Sequence, residues 1–258
     1  MRLEDTVAFV TGANRGLGRA LVEGLISRGA RRVYAASRDG ELMSYEPRTR
    51  MARGTGNVTV PEHDVPVVER RVIPVQLDVT HPEQAREVAA ACGDVTLLIN
   101  NAGSLASHSV LQCDAEALKR DLDVNYYGLL NVTRAFVPTL STKLGASILN
   151  ILSIVSIASI PLIGGYSASK AAAWSLTQSL RSELRARGIR VHAAFPGPMD
   201  TDMGRGFDFP KASPAHVASE ILDGLESGRE DIAPDPMSAD ALATFERDPR
   251  EIERRFQG

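Results

Sequence analysis

The sequence predicts an α/β domain, doubly wound around a parallel sheet of about seven strands with helices on both faces. Three observations lead there. Short apolar runs alternate with longer stretches of helical period along the 258 residues. Several of those runs are apolar throughout, as strands covered on both faces must be. The first run ends in a glycine-rich turn that passes directly into a helical pattern.

In chain order, strands are expected at 6–11, 32–37, 72–77, 95–100, 146–153, 190–195 and 231–234. Helices are expected at 17–28, 83–91, 114–139, 167–187, 214–227 and 238–255. Ser213 and Pro214 form a good cap and first-turn pair for the fifth helix. Strand–helix–strand repetition requires crossover connections, and these place ligands at the carboxyl ends of the strands. No linker and no internal repeat interrupts the pattern, so residues 1–258 read as a single domain. One stretch fits poorly. Residues 39–71 contain Pro47, Pro61, Pro66, Gly54, Gly56, Arg48, Arg50 and Arg53, and are long for a connection between two strands. They read as an extended surface loop, as a flap over one end of a bound ligand, or as an oligomer contact.

Composition excludes several classes. Hydrophobic residues make up 43% and charged residues 24%, an ordinary globular balance. A net charge of −3 gives no reason to expect nucleic acid or an anionic membrane as partner. Two cysteines, Cys92 and Cys113, do not make a disulfide framework, which points to a reducing cytoplasmic setting. The start lacks the sections of a signal peptide, and no apolar run approaches the ~20 residues of a membrane span. His63, His81, His108, His192 and His216 show no ligand spacing, so no catalytic metal is expected.

The first strand runs into Thr11-Gly12-Ala13-Asn14-Arg15-Gly16-Leu17-Gly18. Gly12 permits a sharp turn, Gly16 a close approach of backbone to a pyrophosphate, and Gly18 close packing of helix on sheet. The helix N-terminus then offers free N–H groups and a partial positive charge to the phosphates. The spacing is GxxxGxG, not the generic GxGxxG dinucleotide fingerprint. The second strand ends Ala36-Ser37-Arg38-Asp39. An acid here binds a ribose 2′-hydroxyl, and an Arg accepts a 2′-phosphate. Ser37 takes the acid's place with Arg38 beside it, and Arg15 can reach the same phosphate, so NADP(H) is the expected cofactor. Asp39 would serve NAD(H) if the register differs by a residue or two.

Tyr166-Ser167-Ala168-Ser169-Lys170 begins a strongly helical run, and its i,i+4 spacing lets phenol and ammonium converge. The ammonium, together with an oxidised nicotinamide, is expected to favour phenolate and lower a pKa that is normally ~10. Such a phenol donates a proton to a carbonyl oxygen, or takes one from an alcohol. Ser153 ends the fifth strand, where its hydroxyl can hold a substrate oxygen; Ser156 and Ser159 are the alternatives. Asn125, a poor helix former inside a helical stretch, is either a local irregularity or the anchor of a water linking Lys170 to solvent.

Together these residues resemble the short-chain dehydrogenase/reductase family. The glycine turn is similar to its TGxxxGxG motif, and Asn100-Asn101-Ala102-Gly103 to its NNAG segment. Asn125, Ser153, Tyr166 and Lys170 are similar to its Asn–Ser–Tyr–Lys tetrad. The family's usual separation selects Ser153 over Ser156 and Ser159. The resemblance spans about residues 5–235. It implies a Rossmann domain of the compact, carbonyl-reductase-like branch. It further implies adenine contacts from Asp78 and Val79. A PG segment at Pro196, Gly197, Pro198 and Met199 is implied as well, with Thr201 against the nicotinamide carboxamide. Lys170 then orients the ribose hydroxyls, and residues 203–258 form the substrate lid and C-terminal helices. Hydride transfer between NADP(H) and a ketone, aldehyde or alcohol follows. An NAD-dependent alcohol dehydrogenase and a non-catalytic NADP(H)-sensing regulator are the alternatives.

An apolar wall of Leu105, Ile154, Leu162, Ile163, Met199, Met203, Phe207 and Phe209 suits a hydrophobic, uncharged substrate, with Arg205 and Lys211 flanking the lid. Helices 114–139 and 167–187 carry Trp174, Leu176 and Leu180 beyond the needs of one buried face. By the resemblance, those helices build a homodimer or homotetramer.

Overall fold

A computed structural model describes residues 1–40, 71–206, 208 and 210–257 of the chain. The expectations for the proline- and arginine-rich stretch, and those for Phe207 and Phe209, lie outside the described residues.

The strands are β1 (Val7–Thr11), β2 (Arg32–Ser37), β3 (Val72–Gln76), β4 (Leu97–Asn100), β5 (Ser147–Ile151), β6 (Arg190–Ala194) and β7 (Asp231–Ile232). They form one seven-stranded sheet in the order β3-β2-β1-β4-β5-β6-β7, parallel at every pairing. The helices are α1 (Gly16–Ser27), α2 (Pro82–Ala91), α3 (Ala115–Leu122), α4 (Leu129–Leu140), α5 (Gly164–Arg185), α6 (Pro214–Glu226), α7 (Pro236–Arg247) and α8 (Pro249–Gln257).

The pleat sends alternate residues of β1 to opposite faces. Val7 and Phe9 join the core shared with α2, α4 and α5, while Ala8 and Val10 join the core shared with α1 and α6. Every residue of β1, β4 and β5 is therefore buried, which is why their sequences are largely apolar. β3 departs from this. Among the described residues it is an edge strand, its positions after Val72 alternating between half-buried and exposed, and it accommodates Pro74 because an edge strand has a free side. Strand order reverses between β1 and β4, and the crevice that opens there is where this fold binds ligands.

Two helix expectations are corrected. Residues 114–139 are not one α-helix: a π-helical stretch at Asp123–Gly128 separates α3 from α4. The last predicted helix is two. Asp248 adopts φ −150°, ψ 95°, because Pro249 lacks an N–H and disfavours a helical conformation before it. Leu180 is buried, and Trp174 stacks edge-on against Phe195 with ring centroids 5.0 Å apart. Trp174 and Leu176 remain only partly buried against the core. Among the described residues, no helix is long and apolar enough to cross a membrane.

Candidate active site

The carboxyl ends of β1, β4, β5 and β6 open into one groove of about 2170 Å³. The Thr11–Gly18 region forms one end. Gly12 has φ +63°, and a Cβ there would come within 2.9 Å of the Ala102 Cα. A Cβ on Gly18 would lie 2.1 Å from the Gly12 carbonyl oxygen, so only glycine lets α1 start against the turn. Asn101 locks the arrangement: its amide donates to the carbonyls of Thr11 and Gly12 at 2.9 and 3.0 Å. The Thr11 hydroxyl accepts from the backbone of Asn101 and Ala102. Thr201 closes over the turn, its methyl 3.3 Å from where a Gly16 Cβ would stand. A narrow, backbone-lined cradle at a helix N-terminus fits a pyrophosphate.

The groove continues past Asn14, Arg15, Ser37, Arg38, Asp78 and Val79 on one side, and past Gly103, Pro196, Gly197 and Met199 on the other. Ser37 donates to the Asp39 carboxylate at 2.8 Å, while Arg38 is exposed. Arg15 forms an exposed ion pair with Asp202 across the mouth of the groove, at 3.4 Å. Burial raises the Asp78 carboxyl, but hydrogen bonds from Thr80 and the charges of His81 and Arg38 outweigh it and lower the pKa.

The sequence-predicted tetrad meets at the deeper end. Ser153, Tyr166 and Lys170 all line the groove, whereas Ser156 turns its hydroxyl to the Ser153 backbone N–H and Ser159 is exposed. Tyr166 lies in the first turn of α5, almost fully buried. Lys170 Nζ stands 5.9 Å from the Tyr166 ring centroid and donates to the Ile151 carbonyl at 2.9 Å. Burial draws the Lys170 ammonium down to about 8, with the Asp121 carboxylate opposing. Burial pushes the Tyr166 phenol above its usual range, Asp121 adds to that, and a hydrogen bond with Ser153 acts against both. In the protein alone desolvation dominates; the expected acidification of the phenol includes the charge of an oxidised nicotinamide.

Asn125 lies at a local irregularity, one of the two readings given to it. It sits in the π-helical stretch, and its side chain is engaged entirely with protein. Its amide oxygen accepts from Ser104 N at 2.9 Å, and its nitrogen donates to Ser104 O and Ser169 Oγ, both at 2.8 Å. It ties β4's outgoing segment to α5.

Beyond the tetrad, Leu105, Ile154, Ile160, Leu162, Ile163, Met199 and Met203 supply an apolar wall. Leu162 and Met203 remain 56% and 45% exposed, so they form its outer lip. Arg205 pairs with Asp202 and does not line the groove, and neither does Lys211. Sequence reasoning missed Asp235. Its carboxylate accepts from Gly197 N and Ser238 N, both at 2.9 Å, binding the start of α7 to the PG segment. Asp235-Pro236 with Ser238 is legible as a helix cap, but the bond to Gly197 spans 38 residues and leaves no local signal. Asp121 was missed too, hidden in the charged run Lys119-Arg120-Asp121.

Comparison with known proteins agrees with this geometry. The family model for short chain dehydrogenases matches residues 6–209. The chain belongs to the short-chain dehydrogenase/reductase family. It is an oxidoreductase of that family. It is 30% identical to an uncharacterised oxidoreductase of Staphylococcus saprophyticus, over 88% of this chain and 93% of that one. It is 28% identical to the 3-oxoacyl-[acyl-carrier-protein] reductase of Escherichia coli, over 90% and 88%. A short chain dehydrogenase from Burkholderia cenocepacia, solved in complex with NADP, shares 37% identity over the whole of both chains with a TM-score of 0.86.

Proposed function

We infer that this short-chain dehydrogenase/reductase interconverts a hydrophobic ketone or aldehyde and its alcohol using NADP(H). One observation carries the reading: the glycine-lined cradle and the Ser153–Tyr166–Lys170 group share a single groove, so a dinucleotide held at one end reaches the other. Arg15 and Arg38 at the adenosine end favour a 2′-phosphate, and the Burkholderia cenocepacia relative carries NADP. The Escherichia coli relative is named for reducing a 3-oxoacyl carbonyl.

Bound NADPH supplies the hydride. Ser153 and Tyr166 hold the substrate oxygen between them, and Tyr166 passes its phenolic proton to that oxygen as charge develops there. A phenol kept neutral by burial is the form that reduction requires. Lys170 is placed to bind ribose hydroxyls and to bias Tyr166 electrostatically. Asn125 and Ser169 keep the first turn of α5 against the 104–107 segment. The apolar wall excludes water and selects uncharged substrates.

The test follows NADPH oxidation against a panel of ketones and aldehydes, with wild type and Tyr166→Phe. Removing a positioned proton donor lowers turnover by about 10²–10⁴ while NADPH binding survives. Near-normal turnover in the variant, or a wild type that oxidises NADPH with no carbonyl, overturns the reading.

A further inference from the structure

Asp121 is fully buried, and the reading above gives it no role. Its surroundings are specific. Oδ1 accepts from the Ser104 hydroxyl at 2.7 Å and from Ala106 N at 2.8 Å; Oδ2 accepts from Ser107 N at 2.9 Å and from the Ser107 hydroxyl at 2.5 Å. All of its hydrogen-bond partners belong to residues 104–107, the segment leaving β4 toward the substrate side of the groove, while its charge also acts on Tyr166 and Lys170. Asn125, four residues along the chain, takes the N–H and C=O of Ser104. A loop without strand or helix partners thus receives most of its hydrogen bonds from two side chains.

Between these anchors lies Leu105. It lines the groove and packs against the apolar cluster that contains Ile154, Ile163 and Tyr166. On its far side the loop presses on α5: a Cβ on Gly165 would come within 2.5 Å of Ser107 Oγ, and Gly165 N donates to His108 O at 3.3 Å. Gly165 immediately precedes Tyr166. The spacing between the Leu105 wall and the Tyr166 hydroxyl therefore depends on where Asp121 holds the loop.

We propose that Asp121 is a positioning residue for this reaction: by gripping residues 104–107 it sets the Leu105 wall against Tyr166 and so determines which carbonyl substrates fit. The proposal rests on the carbonyl-reduction reading. Burying a carboxyl group without partners is expensive, and here four donors from a single loop converge on it. An amide is a poor substitute. Each carboxylate oxygen takes one backbone N–H, so an Asn nitrogen in either orientation faces a donor that cannot turn away.

The experiment compares wild type, Asp121→Asn and Ser104→Ala/Ser107→Ala, with activity expressed per NADPH-binding site. Substrates are acetone and a bulky aryl ketone. Asp121 does not line the groove, so NADPH affinity is expected to hold within about threefold. In Asp121→Asn, kcat/KM for the aryl ketone falls by about tenfold or more, mainly through KM, and the aryl-to-acetone preference shifts by about fivefold. The double serine variant keeps the charge and both backbone contacts, and shifts the preference the same way by about twofold. It decides the matter if Asp121→Asn does not fold. Leu105→Ala alters preference in wild type but not in Asp121→Asn. Equal losses on both ketones, or an unchanged preference, overturn the proposal. Amide hydrogen exchange supplies a readout independent of turnover: protection at Ala106 and Ser107 drops in Asp121→Asn, and unchanged protection also overturns it. A wild type inactive on every carbonyl with normal exchange protection in 104–107 identifies failure of the functional reading instead.

Discussion

Replacing Lys170 by methionine is expected to remove activity and, at neutral pH, to stabilise the cofactor-free protein. Lys170 is buried against Tyr166 and Ile151, and burial brings its ammonium from 10.5 to about 8. That drop corresponds to about 3 kcal/mol held against the folded state below about pH 8. Methionine relieves this cost, fills similar space, and leaves the Ile151 carbonyl without its donor, a loss of about 1–2 kcal/mol. The net gain is about 1–2 kcal/mol near pH 7. The pH dependence is the sharper observable. A lysine whose folded pKa lies below its unfolded value binds fewer protons folded than unfolded between the two. Stability of the wild type therefore rises with pH through that window, from about 8 toward 10.5. Between about pH 7 and about pH 9.5 the wild type should gain about 2 kcal/mol relative to Lys170→Met. Urea denaturation at a series of pH values measures the difference between the two curves, in which other titrating groups largely cancel. Parallel curves across that range would refute the reasoning, because they would mean that the buried ammonium carries no desolvation cost.

Other expectations follow from the groove. Gly18→Ala drives a Cβ to 2.1 Å from the Gly12 carbonyl and 2.5 Å from the Asn101 amide, with no flexible neighbour to yield. Thermal melts should show about 1–3 kcal/mol of destabilisation, and fluorescence titration about a tenfold or greater loss of NADPH affinity. Arg38→Asp removes an exposed cation at the adenosine end and adds a negative charge beside Asp39. NADPH binding should weaken by about 10–100-fold while NADH binding holds or improves; equal effects on both cofactors would place the 2′-phosphate elsewhere.

How much was legible in advance differs by residue. β1, β4 and β5 were readable because strands covered on both faces are largely apolar, and α1 because a strand runs through the glycine turn into a helical pattern. Tyr166 and Lys170 were suggested by an i,i+4 step and Ser153 by a strand end, while the family resemblance selected Ser153 over Ser156 and Ser159. The break at Asp123–Gly128 was hinted at only by Asn125, since a π-helical stretch differs from an α-helix by one residue per hydrogen-bonded turn and keeps the same apolar rhythm. Pro249 did announce the break between α7 and α8, but an amphipathic period continuing across it concealed the stop.

Chain order and residue type alone determined the parallel sheet, the phosphate cradle and the pair of side chains one helical turn apart. Those are short-range facts: a period, a turn, an i,i+4 step. Tertiary structure decided the rest. It buried Tyr166 and Lys170 deeply enough that desolvation, not their mutual charge, governs both groups. It also brought Asp121 to the 104–107 loop and Asp235 to Gly197. Burial and long-range hydrogen bonds depend on which surfaces meet after folding, and no pattern along one strand or helix records them.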